Sequence, residues 1–261
     1  MSNSFSSLLS LALIIVALLC CSCTESPKLT VDESELQGVV RTSLDSPEPT
    51  AGQLDRRKRN TDLVAAMGLP TFAELPVVED EAQVKPRTKE EVAKRCIAAA
   101  ICAAKGEAND QELTDRLVAD FKATSFFSPD ELKFIKDKNP EQQDRVDFAW
   151  RYECIHVFLW ALSFNDELQP NNEICDVKND IGHIAGVKWE DFLAKAKLRS
   201  QSEILEQADL YYRLHWAAID LRINGKTSDK CNEEIIAERH RALNWLIRYM
   251  GQDWDSVTTD T

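Results

Sequence analysis

Two stretches near the C-terminal end set charged and imidazole side chains among aromatics. One runs from Glu203 to Trp216 and carries Asp209, Tyr211, Tyr212, Arg213 and His215; the other runs from Glu238 to Leu246 and carries Arg239, His240, Asn244 and Trp245. Together with Arg151, Glu153 and Asp220 they give nine residues able to do chemistry: Arg151, Glu153, Asp209, Arg213, His215, Asp220, Arg239, His240 and Asn244. A charge buried without a partner costs several kcal/mol, so such residues on apolar faces need a reason to be there. As a site, arginines beside histidines and aspartates bind an anionic ligand or perform acid-base hydrolysis. As scaffolding, they form a buried ion-pair lattice that fixes helix register, and this is the preferred reading. A lattice fills its own volume, whereas a site leaves an open cleft.

Metal and thiol chemistry rest on fewer residues. Glu153 and His156 form a Glu-x-x-His pattern, which in four-helix carboxylate proteins turns both ligands toward a metal pair. The partner motif would be Asp180-Ile181-Gly182-His183, where Gly182 weakens a rigid helix, so a polar stripe on a core helix is preferred and no cofactor is expected. Cys96, Cys102, Cys154, Cys175 and Cys231 show no CxxC spacing. At roughly 100° per residue, Cys96 and Cys102 fall about 240° apart on one helix and cannot bond each other. Buried free thiols are expected, and a nucleophile would take Cys154 or Cys175 with His215 or His240. The sequence holds no phosphate-cradling glycine loop and no GxSxG elbow.

The elements that must carry these residues read as helices. Thr88 with Glu91, Ser128 with Glu131 and Ser200 with Glu203 fit the capping box, and Asn139-Pro140 reads as an N-cap followed by proline at the first helical position. Gly68, Gly106, Gly225 and Gly251 each follow a periodic segment and read as stops. Helices are expected near 55–67, 89–105, 110–123, 129–137, 141–165, 189–198, 201–224 and 231–250, with long loops at 69–87 and 166–179. The fold class is all-α, a single compact domain of about eight helices around a buried helix at 141–165. On that helix Arg151 and Glu153 lie about 200° apart and must each find a partner elsewhere. Arg239 falls in the middle of an apolar arc and points inward, while Asp209, Arg213 and Asp220 share about 40° of another helix, where the acids can receive inward arginines.

Ahead of the helices, Leu8 to Leu19 is apolar apart from Ser10 and runs into Cys20-Cys21-Ser22-Cys23. That length suits a signal-peptide core and falls short of the roughly 20 residues that cross a bilayer. A small residue before cysteine resembles a bacterial lipoprotein signal, with Cys23 the lipidated residue, Cys21 the alternative, and an uncleaved membrane anchor the other arrangement. Residues 1–22 are then the signal peptide and 23–54 a disordered tether rich in Ser, Thr, Pro and acids. The formal net charge of −13 disfavours nucleic acid and anionic headgroups as partners, and Arg56-Arg57-Lys58-Arg59 reads as a solvated helix face.

From about Asp55 onward the chain resembles the domain of unknown function 4272 family. The likeness lies in Leu75-Pro76-Val77-Val78-Glu79 with Arg87 to Arg95, in Trp150-Arg151-Tyr152-Glu153 with Leu159-Trp160-Ala161-Leu162, and in Cys175-Asp176-Val177. It continues through Leu198-Arg199-Ser200, Tyr212 to Ala217, Glu238-Arg239-His240, Asn244-Trp245-Leu246, Asp253-Trp254-Asp255 and Thr258 to Thr261. The resemblance implies a helical bacterial domain with no established activity, and His156 departs from a position where the family has an apolar or aromatic residue. The combined expectation is a lipid-anchored helical binding or interaction module at the bacterial envelope, tied to the membrane through its N-terminal cysteine and suited to a protein partner. The alternatives are a hydrolase-like or metal-assisted enzyme built on the polar cluster and a toxin-neutralising immunity-type protein.

Overall fold

The computed structural model describes residues 48–168 and 171–261. The apolar leader, both candidate lipidated cysteines and the tether as far as residue 47 lie outside the described residues. The elements are α1 (Ala51–Ala66), α2 (Lys89–Ala108), α3 (Gln111–Asp120), α4 (Pro129–Lys136), α5 (Gln142–Ala149), α6 (Arg151–Ala161), α7 (Val177–Ile184), α8 (Trp189–Lys195), α9 (Gln201–Ile223) and α10 (Glu233–Leu246), with single 3-10 turns at Ala123–Ser125 and Tyr249–Gly251. No strand occurs among the described residues, and the fold is all-α.

Capping explains most of the helix starts. Thr88, Ser128 and Ser200 each accept the N3 backbone N–H, while the carboxylates of Glu91, Glu131 and Glu203 accept the cap N–H in return. A fourth box, Thr50 with Gln53, starts α1 at Ala51, so residues that read as the end of the tether form its first turn. Asn139-Pro140 does not start a helix: α5 begins at Gln142, with Glu141 at the cap and no side-chain bond to it. Gly106 is no stop either, since α2 runs on to Ala108 and ends on left-handed Asn109. A Cβ on Gly106 would sit 2.5 Å from the Arg145 carbonyl oxygen and 3.1 Å from the Ala149 nitrogen, so this glycine lets α5 cross against α2. Gly68 and Gly225, by contrast, take φ of 77° and 63° just past α1 and α9, as helix stops do. At the C-terminal end α10 stops at Leu246, short of 250, and Arg248 and Met250 adopt positive φ beyond it.

The expected helix at 141–165 is two helices meeting at Trp150. No residue of α5 is fully buried, whereas every residue of α6 from Tyr152 to Ala161 is. The alanine-rich α2 is enclosed along most of its length and packs against both α5 and α6. From there the layers continue: α6 lies on α10, α10 on α9, and α9 on α1. One helix was unforeseen, α7, whose N-cap Asp176 accepts the Asn179 N–H.

The long 69–87 segment is strapped to the bundle by arginine and glutamine side chains. Gln53 and Arg56 donate to the Val78 carbonyl, Gln201 to those of Glu81 and Val84, and Arg248 to that of Lys85. Such bonds satisfy backbone carbonyls that lie outside any helix. No helix among the described residues is long and apolar enough to cross a membrane.

Candidate functional site

The nine polar residues do not converge on one centre; they divide among separate networks. At the middle of the bundle Arg239, wholly enclosed, donates from Nε to Glu153 Oε2 at 2.8 Å and from Nη1 to the Tyr211 hydroxyl at 3.1 Å. Glu153 also accepts the Cys175 backbone N–H at 2.8 Å, so one carboxylate ties α6, α10 and the loop before α7 together. Burial works against the Arg239 charge, but Tyr211 and Glu153 outweigh it and hold the guanidinium pKa above its ordinary value.

Asp209 and Arg213, one turn apart on α9, form a bidentate pair at 2.7 and 2.9 Å, and the Asn60 amide of α1 donates to Asp209 Oδ2 at 2.9 Å. Both members of this pair are buried. The acid that receives inward Arg239 is therefore Glu153 and not Asp209, because Asp209 is already taken by its own helix. Asp220 receives no arginine: it is half-exposed and accepts the Asn224 amide beyond the end of α9. Arg151 and Glu153 face apart as the helix geometry requires, and Arg151 pairs with Glu238 of α10.

His215 and His240 bond to each other, Nδ1 to Nδ1, at 3.0 Å. Burial first, and the His215 charge second, push the His240 pKa down to about 3, and burial lowers that of His215 as well. Both rings are thus neutral near pH 7, one Nδ1–H donating to the bare Nδ1 of the other. The Asn244 amide donates to the Thr258 carbonyl at 2.9 Å and closes this corner against the C-terminal segment.

The metal and thiol candidates find other partners too. His156 Nδ1 lies 2.9 Å from Asp180 Oδ2, and the Asn165 amide donates to Asp180 Oδ1 at 2.7 Å. Glu153 and His156 thus serve different networks, and among the described residues no three His, Cys, Asp or Glu side chains are grouped to hold a metal. The Cys154 thiol donates to Glu238 and the Cys175 thiol to the Tyr152 carbonyl, so neither cysteine meets His215 or His240. Burial pushes both thiols well above their usual pKa, opposite to what a nucleophile requires.

Open space lies beside this lattice. Between α2, α3 and α7 a cavity of about 410 Å³ is walled by Ile97, Ile101, Leu117, Phe121, Ile181 and Val187. Its polar lining includes Asp120, Lys178, Lys188 and Glu107, whose Oε2 accepts the Tyr152 hydroxyl at 2.7 Å while Oε1 is enclosed without a partner. Burial raises the Glu107 pKa, and the Tyr152 bond only partly opposes it. A second opening, a cleft of about 330 Å³, has Arg151 and Arg241 among its lining residues. Glu107, Tyr152, Arg241 and Trp254 were not singled out as site candidates from sequence. Glu107 near the end of an apolar helix was the visible signal, a carboxylate placed where the next turn of wall should be. A mostly apolar cavity with a few converging polar groups is the usual form of a ligand pocket.

No curated protein and no solved structure matches this chain. The profile of one family, described as Domain of unknown function (DUF4272), matches residues 56–257, from the first turns of α1 to the C-terminal segment that packs on α10. That span takes in every network and both openings described above, and the chain belongs to this family.

Proposed function

We propose that this protein is a lipid-anchored binding module of the bacterial envelope, with the apolar cavity between α2, α3 and α7 as its ligand pocket. The observation that carries the reading is the closure of the polar lattice: Arg239 and Asp209, both at 0% exposure, are held by partners inside the bundle and face no cleft. Hydrolysis on this cluster would need those groups open to substrate. The cavity offers instead an apolar wall with the carboxyl groups of Glu107 and Asp120 in its lining, which suits a ligand with an apolar body and a hydrogen-bond donor. Cys23, following Ser22 after the apolar run, supplies the anchor.

Two measurements test the reading. Radiolabelled palmitate fed to a bacterium expressing the full chain should label wild type and Cys21→Ala but not Cys23→Ala, and Cys23→Ala should leave the membrane fraction. Label on none of the three would remove the anchor from the reading. For the pocket, Ala104→Phe places a ring into the cavity wall; apolar amines and alcohols should raise the melting temperature of wild type but not of this variant. Equal shifts in the two proteins would place binding elsewhere.

A further inference from the structure

The second opening shares no lining residue with the apolar cavity and has a different chemistry. It lies between α4, α5 and the Trp254–Asp255 segment, with Arg151 at the start of α6 and Arg241 of α10 set against the Trp254 ring. The two guanidinium carbons stand 5.7 and 5.0 Å from the centre of that ring. Arg151 donates from Nη1 to Glu238, and Arg241 from Nη2 to the Trp254 carbonyl at 2.8 Å. Neither guanidinium has a further acceptor among the described residues, and Nε of each is enclosed without a partner. Glu238 pairs with Arg151 alone, and Arg241 has no carboxylate within 4.0 Å among the described residues. Burial, then the Arg151 charge, lowers the Arg241 pKa, whereas Glu238 outweighs burial at Arg151 and holds that guanidinium above its ordinary pKa.

The rim has the opposite sign. Asp144 and Asp147 of α5 and Asp255 of the C-terminal segment line the cleft without a cationic partner within 4.0 Å among the described residues, and the lining also holds Asp130, Glu131 and Asp137 against one exposed lysine, Lys133. Phe134 and Phe148, stacked at 4.0 Å, supply an apolar wall. A simple anion reaching the arginines would pass these carboxylates, and a simple cation would meet two guanidiniums. We propose that the cleft binds a zwitterion: a free α-amino acid with an apolar or aromatic side chain. Its carboxylate takes terminal Nη–H groups of Arg151 and Arg241 that no protein acceptor uses, its ammonium faces the aspartates, and its side chain lies against Phe134 and Phe148. The volume is at the small end of ligand pockets, roughly 300–1,000 Å³, which limits the ligand to about this size.

Titration calorimetry on the full chain in detergent tests the proposal with three probes that share one body: L-phenylalanine, phenethylamine without the carboxylate, and 3-phenylpropanoate without the ammonium. Phenylalanine should bind, and each of the others should bind at least tenfold more weakly. Arg241→Gln should abolish phenylalanine binding. Asp144→Lys, a change at an exposed position that leaves the interior untouched, should weaken phenylalanine at least tenfold and strengthen 3-phenylpropanoate, so the proposal stays testable if Arg241→Gln fails to fold. Equal binding of 3-phenylpropanoate and phenylalanine would make the cleft a plain anion site and overturn the zwitterion. Equal binding of phenethylamine would remove the arginines from recognition. Heat from none of phenylalanine, leucine and alanine would overturn the proposal as a whole, whatever the palmitate and cavity experiments give.

Discussion

At the scale of single residues, the interior polar groups act through pairing, and truncating one partner exposes that. Arg239→Ala leaves Glu153 charged and enclosed, and the loss should be roughly 3–5 kcal/mol in urea unfolding. Arg239→Met combined with Glu153→Gln removes both charges, keeps an acceptor for the Cys175 N–H, and should recover most of that loss. A single variant within about 1 kcal/mol of wild type would contradict the pairing. The histidine pair gives a pH signature. A histidine whose folded pKa is depressed binds fewer protons folded than unfolded, so its contribution is complete above the unfolded pKa near 6.5 and declines as pH falls toward 3. Stability should therefore fall by up to about 1.4 kcal/mol per pH unit through that window from His240 alone. His240→Gln should flatten the slope between pH 6.5 and 4; an unchanged slope would assign the acid sensitivity to other groups. The inward direction of Arg239 was legible from its place on an apolar arc. Its partner was not, because Glu153 lies 86 positions away and only the stacking of α6 on α10 brings the two together.

At the scale of elements, local chemistry was the readable part. The three hydroxyl-carboxylate boxes at Thr88, Ser128 and Ser200 all form, because each is satisfied within four residues and needs no tertiary help. The box at Thr50 uses glutamine in place of glutamate and sits in a polar run that reads as tether, so it passed unseen. The helix α7 was missed for a related reason: eight residues with Gly182 among them make a short segment that reads as loop, although Asp176 followed by Val177, Ile181 and Ile184 is a cap with one apolar face. Gly106 was misread because a glycine near a helix end signals a stop by sequence, whereas here a neighbouring backbone needs the space. Gly106→Ala tests this directly. It improves helix propensity, which alone would stabilise by up to about 1 kcal/mol, yet the crowding against Arg145 and Ala149 should make it destabilising by roughly 1–3 kcal/mol. A rise in melting temperature would show that α2 and α5 can part at no cost.

At the scale of the whole molecule, one apolar cluster links Val64 of α1 to Val257 near the C-terminal end through α2, α6, α7, α8, α9 and α10, and a smaller one of Cys102, Phe134 and Ile135 joins α4 to the other side of α2. A core so shared predicts a single cooperative transition, with near-UV and far-UV circular dichroism giving the same urea midpoint; separate midpoints would divide the bundle into independent parts. The docking of α1 on α9 carries one more consequence. Arg59 meets Glu206 and Asn60 meets Asp209 across 147 and 149 positions of sequence. Synthesis proceeds from the N-terminus, so α1 is made long before its seat on α9 exists. A nascent chain stopped short of Asp209 has no finished seat for α1, and the contacts that hold this helix are tied only after α9 has been made.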